Sequence, residues 1–249
     1  MATVEELCKG LNSGDQVKAY QARQALMIQV GEAGAAGKES QKKELAAKLA
    51  AELKKLQPVK DGRGEPTEAS LASNSAAGDV FRALALVAAD AEVPTLQECL
   101  KNIDLREMSR WCLDRMTCQA ATDALVDAMK TLAGQEFRVG VINSLGRKSG
   151  SNVVAALKEC LGERDPQIQI AAVEALAAQG DAGQDDAIAA VGKGIGVRGQ
   201  NRVARARLRL AGAAAKSGNK DAAKKIFESV AAGKDEVQRD AAKANLAQL

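Results

Sequence analysis

Asp165-Pro166-Gln167-Ile168-Gln169-Ile170-Ala171-Ala172-Val173-Glu174-Ala175-Leu176 is the stretch on which the fold turns. An acid followed by proline marks a helix start. The Asp165 carboxylate can accept hydrogen bonds from the first free N–H groups, and Pro166 has no N–H to waste at the first helical position. Ile168, Ala171, Ala172, Ala175 and Leu176 then fall at i, i+3, i+4, i+7 and i+8, which makes one apolar stripe. The same start, acidic or polar, then hydrophobic, then basic or polar, recurs elsewhere. It runs from Asp15-Gln16-Val17-Lys18 to Ala25-Leu26, from Glu136-Phe137-Arg138 to Leu145-Gly146, and from Asp235-Glu236-Val237-Gln238 to Asn245-Leu246. A spacing of roughly 30 to 36 residues is the period of a solenoid.

Working outward, the pattern predicts seven antiparallel helix pairs, A then B. They cover residues 3–11 and 14–33, 38–57 and 75–89, 92–101 and 105–116, 119–132 and 135–148, 150–161 and 165–179, 183–193 and 199–217, and 219–231 and 235–248. Gly31, Gly146, Gly180 and Gly218 stand where left-handed caps are expected to close B helices. Residues 58–74, with Pro58, Gly62, Gly64 and Pro66, read as a loop inserted in the second pair, with a short helical turn near Thr67–Ala72. The expected domain is a single all-α solenoid over residues 1–249.

Composition supports helices. Hydrophobic residues make up 46% of the chain but aromatics only 2%, so Ala, Leu, Val and Ile carry the apolar load. There is no histidine, which removes the commonest general acid/base and metal ligand. Cys8, Cys99, Cys112, Cys118 and Cys160 are odd in number and form no CxxC. They read as buried thiols of a reducing compartment, without a metal site. The start of the chain, Met1-Ala2-Thr3-Val4-Glu5-Glu6, is unlike a signal peptide, and no apolar run reaches the ~18 residues of a membrane span. The expectation is a cytoplasmic protein, or an extracytoplasmic one if a leader was removed.

The units resemble HEAT repeats, in particular the short, Ala-rich HEAT-like kind also seen in phycobilin lyases. There the second helix of each unit opens on an Asp-Pro-x-Val-Arg type of sequence and continues through Ala-Ala-x-x-Ala-Leu. Residues 165–176 match closely, 235–246 and 15–26 match well, and 135–146 match at Phe137-Arg138 and Leu145-Gly146. The resemblance implies a right-handed superhelix with the B helices on its concave face. The family's basic position is Gln169 in the fifth unit and Gln238 in the seventh. No lyase-specific residue set is present, so that activity is not transferred.

Charge is uneven. From Ala187 to Lys220 there is no acid, while Lys193, Arg198, Arg202, Arg205, Arg207, Arg209, Lys216 and Lys220 supply eight cations. On a helical wheel Arg198, Arg202, Arg205, Arg209 and Lys216 share an arc of about 60°. Arg207 points the other way and needs a carboxylate, for which Asp240 is a candidate. The row is either an anion-binding surface or a solvated face balanced by Asp181, Asp185, Asp186, Glu228 and Glu236. Gly192-Lys193-Gly194-Ile195-Gly196 reads as a flexible connection, since no strand precedes it. Trp111, beside Arg110, is a further candidate anchor, with Arg138.

The sequence expectation is therefore a non-enzymatic scaffold that binds a protein partner along its concave face. The chosen residues are Arg198, Arg202, Arg205, Arg209, Lys216, Trp111, Arg110 and Arg138. An acidic protein is the expected partner, with no small-molecule cofactor. Nucleic-acid phosphate is the alternative and a lyase-like enzyme the third reading.

Overall fold

The structure is a computed structural model that describes residues 2–56 and 68–249, with side chains from 73 onward in the second stretch. Fourteen α-helices occur among the described residues, and no strand. They fall into seven consecutive pairs: α1 (Val4–Leu11) and α2 (Gln16–Ala33), α3 (Glu39–Leu53) and α4 (Glu68–Val87), α5 (Val93–Lys101) and α6 (Arg106–Arg115), α7 (Gln119–Thr131) and α8 (Gln135–Leu145), α9 (Ser151–Leu161) and α10 (Pro166–Gln179), α11 (Asp185–Val191) and α12 (Val197–Lys216), and α13 (Lys220–Ala231) and α14 (Glu236–Leu246). The chain is an all-α array of helix pairs. Most of the expected loop 58–74 lies outside the described residues. Its last part does not: α4 is already helical at Glu68, where the expectation was a start at 75. Ala69, Leu71, Ala72 and Ala76 favour helix over the Ser/Asn content that suggested a loop.

Contacts divide the chain between Ala128 and Met129, inside α7, into two compact units. In the first, α1 packs on α2, α3 and α4, and the B helices follow one another from α2 to α4 to α6. In the second, α10 packs against α8, α9, α11 and α12, and α12 meets α13 and α14. Each unit thus has a row of B helices with the A helices laid along one side.

A pair this short buries too little by itself, and neighbours complete it. In α10, Ile168, Ile170, Ala171, Ala172, Val173, Ala175, Leu176 and Ala177 are all buried, which is far more than the single stripe expected. A helix with neighbours on three sides is apolar nearly all round. Small side chains allow the close approach, and Gly146 shows how close. A Cβ there would lie 3.0 Å from both Cα and Cβ of Ala175. This corrects its reading as a left-handed cap: its φ is −60°, so what selects glycine is the packing of α8 on α10. Gly180 and Gly218 are left-handed, at φ 77° and 88°, as expected of caps. Gly31 lies inside α2.

Acids hold three of the B-helix starts. Asp15 Oδ1 accepts from the N–H groups of Val17 and Lys18 at 2.9 and 3.1 Å. Asp165 does the same for Gln167 and Ile168, and Asp235 for Gln238. One further contact recurs. Arg138 Nε donates to the Met129 carbonyl, Gln169 Nε2 to that of Leu161, and Gln200 Nε2 to that of Ile195, each at 3.1 Å. Each donor is the fourth residue of its B helix; Met129 and Leu161 lie in the last turn of the preceding A helix, whereas Ile195 lies in the turn between α11 and α12. Glutamine and arginine thus make the same kind of bond in α10 and α8. In the seventh pair the fourth residue is Arg239, so Gln238 was assigned to the wrong register.

Gly146→Ala should destabilise the fold by about 1–3 kcal/mol, because the added methyl overpacks the α8–α10 contact. A drop in the urea midpoint at unchanged m-value would show this; an unaltered midpoint would deny the contact.

Candidate functional site

Helix α12 positions the basic row. Val203, Ala206, Leu210, Ala211 and Ala214 bury one face, so Arg198, Arg202, Arg205, Arg209 and Lys216 must stand on the other, and all five are exposed. Two of them lean on α10. Arg202 places Nη2 at 2.9 Å and Nε at 3.0 Å from Glu174 Oε1, and Arg209 Nη2 donates to the Glu174 carbonyl at 3.4 Å. Among the described residues Arg198, Arg205 and Lys216 have no carboxylate within ion-pair reach. The row is therefore partly neutralised and mostly open.

Glu174 is the residue that sequence reasoning missed. It is the single ionisable residue of α10, one repeat before Arg202. Four of the five acids expected to balance the row act elsewhere. Asp181 accepts from the Gly183 N–H at 2.9 Å and from the Gln184 amide at 2.6 Å; these bonds, the Gln184 side chain foremost, lower its pKa. Glu228 is within 4.0 Å of Lys224, and Glu236 within 3.7 Å of Arg239. Asp185 pairs with Arg207, with Nε–Oδ1 at 2.7 Å and Nη2–Oδ2 at 2.8 Å; Nη2 also donates to Ser229 Oγ at 2.9 Å. This corrects Asp240 as the Arg207 partner: Asp240 lies 3.7 Å from Arg239.

The remaining candidates are placed differently. Arg138 is half-buried and bridges from the Met129 carbonyl to both oxygens of Glu163, tying the last turn of α7 to the turn before α10. Arg110 and Trp111 lie on α6, in the other unit. Arg110 Nε binds Glu107 at 2.9 Å, and Trp111 is 37% exposed under the Arg115 guanidinium, 5.2 Å from its ring centre. In the second unit clefts of about 420, 530 and 230 Å³ recur where one A–B turn meets the next. Arg138, Gln169 and Gln200 line them in turn. A cleft of about 640 Å³ lies between α1, α2 and α3 in the first unit.

The chemistry available is binding and orientation. Arginine stays protonated and offers donors in a fixed fork. Burial pushes the Cys8, Cys99 and Cys160 thiols up to about 11 and Cys112 to about 12, away from thiolate at neutral pH. Cys118 is half-buried, and its thiol is also raised, chiefly by burial. Among the described residues no group of three or more Cys, Asp or Glu is placed to share a metal ion, and no helix is long and apolar enough to cross a membrane.

No protein-family model and no curated protein matches the chain. Solved structures similar to it include the complex of CpcE and CpcF of phycocyanin lyase from Nostoc sp. PCC7120. That match is 17% identical over 100% of this chain and 95% of that one, with a TM-score of 0.47. Human deoxyhypusine hydroxylase in complex with glycerol is 15% identical, over 98% and 94%, at 0.38. An engineered protein is 18% identical, over 99% and 96%, at 0.32. These are likenesses of fold. They correct the expectation of a non-enzymatic scaffold. Two of the three are enzymes by their descriptions.

A thiol titration at pH 8 should find Cys118 alone reactive in the folded chain, with the other four released by denaturant. Fast reaction of two or more thiols in the native chain would contradict the burial described.

Proposed function

We propose that the chain is the substrate-holding component of a lyase-like enzyme that works with a protein partner, and that the row on α12 grips an anionic group of the substrate or partner. The reaction class is borrowed from the phycocyanin lyase likeness. What supports the binding role is the row itself: Arg198, Arg205 and Lys216 are exposed on one face with no carboxylate in reach among the described residues, and the Glu174 carboxylate pairs with Arg202. A row of fixed cations raises the local concentration of anions and speeds their capture. Arginines bind and orient but do not take up a proton, so the bond-making groups come from the substrate or from the partner. An acidic protein segment fits such a row. Five free thiols suit a reducing compartment, and we assign the chain to the cytoplasm on that ground.

Nucleic acid is the second reading, favoured by the regular placing of the unpaired cations along one helix. It predicts duplex affinity that falls with salt at a log–log slope of about −3, for about three phosphates neutralised. No binding at low salt removes it.

Charge reversal at Arg198 and Arg205, which leaves the Arg202–Glu174 pair intact, should abolish retention on an anionic polymer such as heparin without changing the helical circular dichroism. Unchanged retention overturns the binding role. For the reaction, intact-mass spectra of lysates lacking the chain should differ from those with the purified chain restored. The difference should appear as a mass shift on one protein, lost with the double variant. Identical spectra with and without the chain would overturn the enzymatic reading.

A further inference from the structure

Helix α2 is apolar on two opposite faces. Its core face is Ala22, Leu26, Val30 and Ala33, all buried. On the other side Val17 is 65% exposed, Tyr20 58%, Met27 39% and Ile28 60%. At about 100° per residue these four share an arc of about 100°, turned away from Leu26. The other large exposed apolar residues of the described chain are spread over several elements: Leu86, Ile103, Trp111, Val197 and Val237. Isolated exposed apolar residues need no explanation, but a continuous stripe marks a surface that something covers. A helix apolar on both faces is ordinarily enclosed on both. Within its unit α2 has α4 on one flank, fastened by Arg23, whose Nε and Nη2 lie 2.8–2.9 Å from the buried Asp79 carboxylate. The stripe lies outside that contact.

The geometry points to a second copy of this chain as what covers the stripe, with the two α2 helices crossing antiparallel about Gln24. The stripe is close to self-complementary about that residue. Tyr20 and Ile28 lie at equal distances on either side of it, as do Val17 and Gly31. An antiparallel crossing sets Tyr20 against Ile28 of the second copy, and Val17 over Gly31, where the missing side chain leaves room. Gln24 meets its own image, and the two exposed amides exchange hydrogen bonds across the two-fold axis. Charge fits the same arrangement. Lys18 and Glu32 are exposed, flank the stripe on the same side and lie near its opposite ends. Antiparallel copies bring each Lys18 toward Glu32 of the other, whereas a parallel two-fold pairing would leave the charges of the two copies on opposite sides of the seam. Within the chain Lys18 reaches only Asp15, at 3.8 Å, and Glu32 has no ion pair among the described residues. The stripe is about 17 Å long from Val17 to Ile28 at a rise of about 1.5 Å per residue. That is less surface than a standard stable interface buries, so the dimer is a reversible one.

Sedimentation of the full chain from micromolar to millimolar concentration tests this. The expected result is a concentration-dependent monomer–dimer equilibrium, with Ile28→Glu monomeric throughout and its circular dichroism unchanged. Lys18→Glu and Glu32→Lys should each weaken association about fivefold to tenfold, and the two together should restore it. A wild-type chain that stays monomeric leaves the stripe to some other protein and overturns the dimer. So does a dimer that Ile28→Glu leaves intact, or a double charge swap that fails to recover affinity.

Discussion

Within each unit the helix pairs depend on apolar surface supplied by their neighbours. Helix α10 illustrates the constraint: Ala171, Ala172, Val173 and Leu176 are buried because α8, α9 and α12 close around it, and no single partner could do this. With aromatics at 2% of the chain, the needed area comes from many small contacts between closely spaced helices. Each fully buried Leu, such as Leu145, Leu157, Leu176 and Leu210, contributes about 1.5–3 kcal/mol by leaving water. Close spacing is what Gly146 secures at the α8–α10 contact.

Polar contacts then fix the register that apolar contacts leave loose. In α8 and α10 the fourth residue, Arg138 or Gln169, reaches back to a carbonyl in the last turn of its A helix. Lateral ion pairs join one repeat to the next, as Arg23 does with Asp79, Arg138 with Glu163 and Arg202 with Glu174. Asp79 is only 3% exposed and meets both Arg23 and Arg82, so its charge is compensated where an unpaired carboxylate would be very costly. On α12 this scheme runs short of acids. One carboxylate meets a row of five cations, and the residual charge is what distinguishes this surface from the structural ion pairs elsewhere.

The pairs were legible because helical periodicity, acidic caps and a repeat of fixed length are local signals. Asp15, Asp165 and Asp235 cap the helices they were read to cap. Properties set by partners distant in sequence were harder to read. Gly146 looked like a cap because it follows a helix, but it is conditioned by Ala175 across the interface. Asp240 is nearer in the expected stack to Arg207 than it proves in space, where Asp185 is the partner. Glu174 sits among alanines and gives no sign of facing Arg202 until α10 and α12 are laid side by side. The arginine row itself was legible, since an arc on one helix needs no tertiary information. The apolar outer stripe of α2 was not, because its residues alternate around the helix with the core set and read as ordinary hydrophobic content. The absence of histidine was over-read: it lowers the prior for one kind of chemistry and says nothing about substrates held by arginine.

The central claim is that stability is handed from neighbour to neighbour, so that an element with one neighbour is held less firmly than one with two. Native-state hydrogen exchange on the full chain tests it most directly. Amides of α8, α10 and α12 should exchange slowest within their unit, and those of α14, whose one fully buried residue is Ala242, markedly faster. Protection of α14 equal to that of α10, with all helices opening in a single event, would contradict the account.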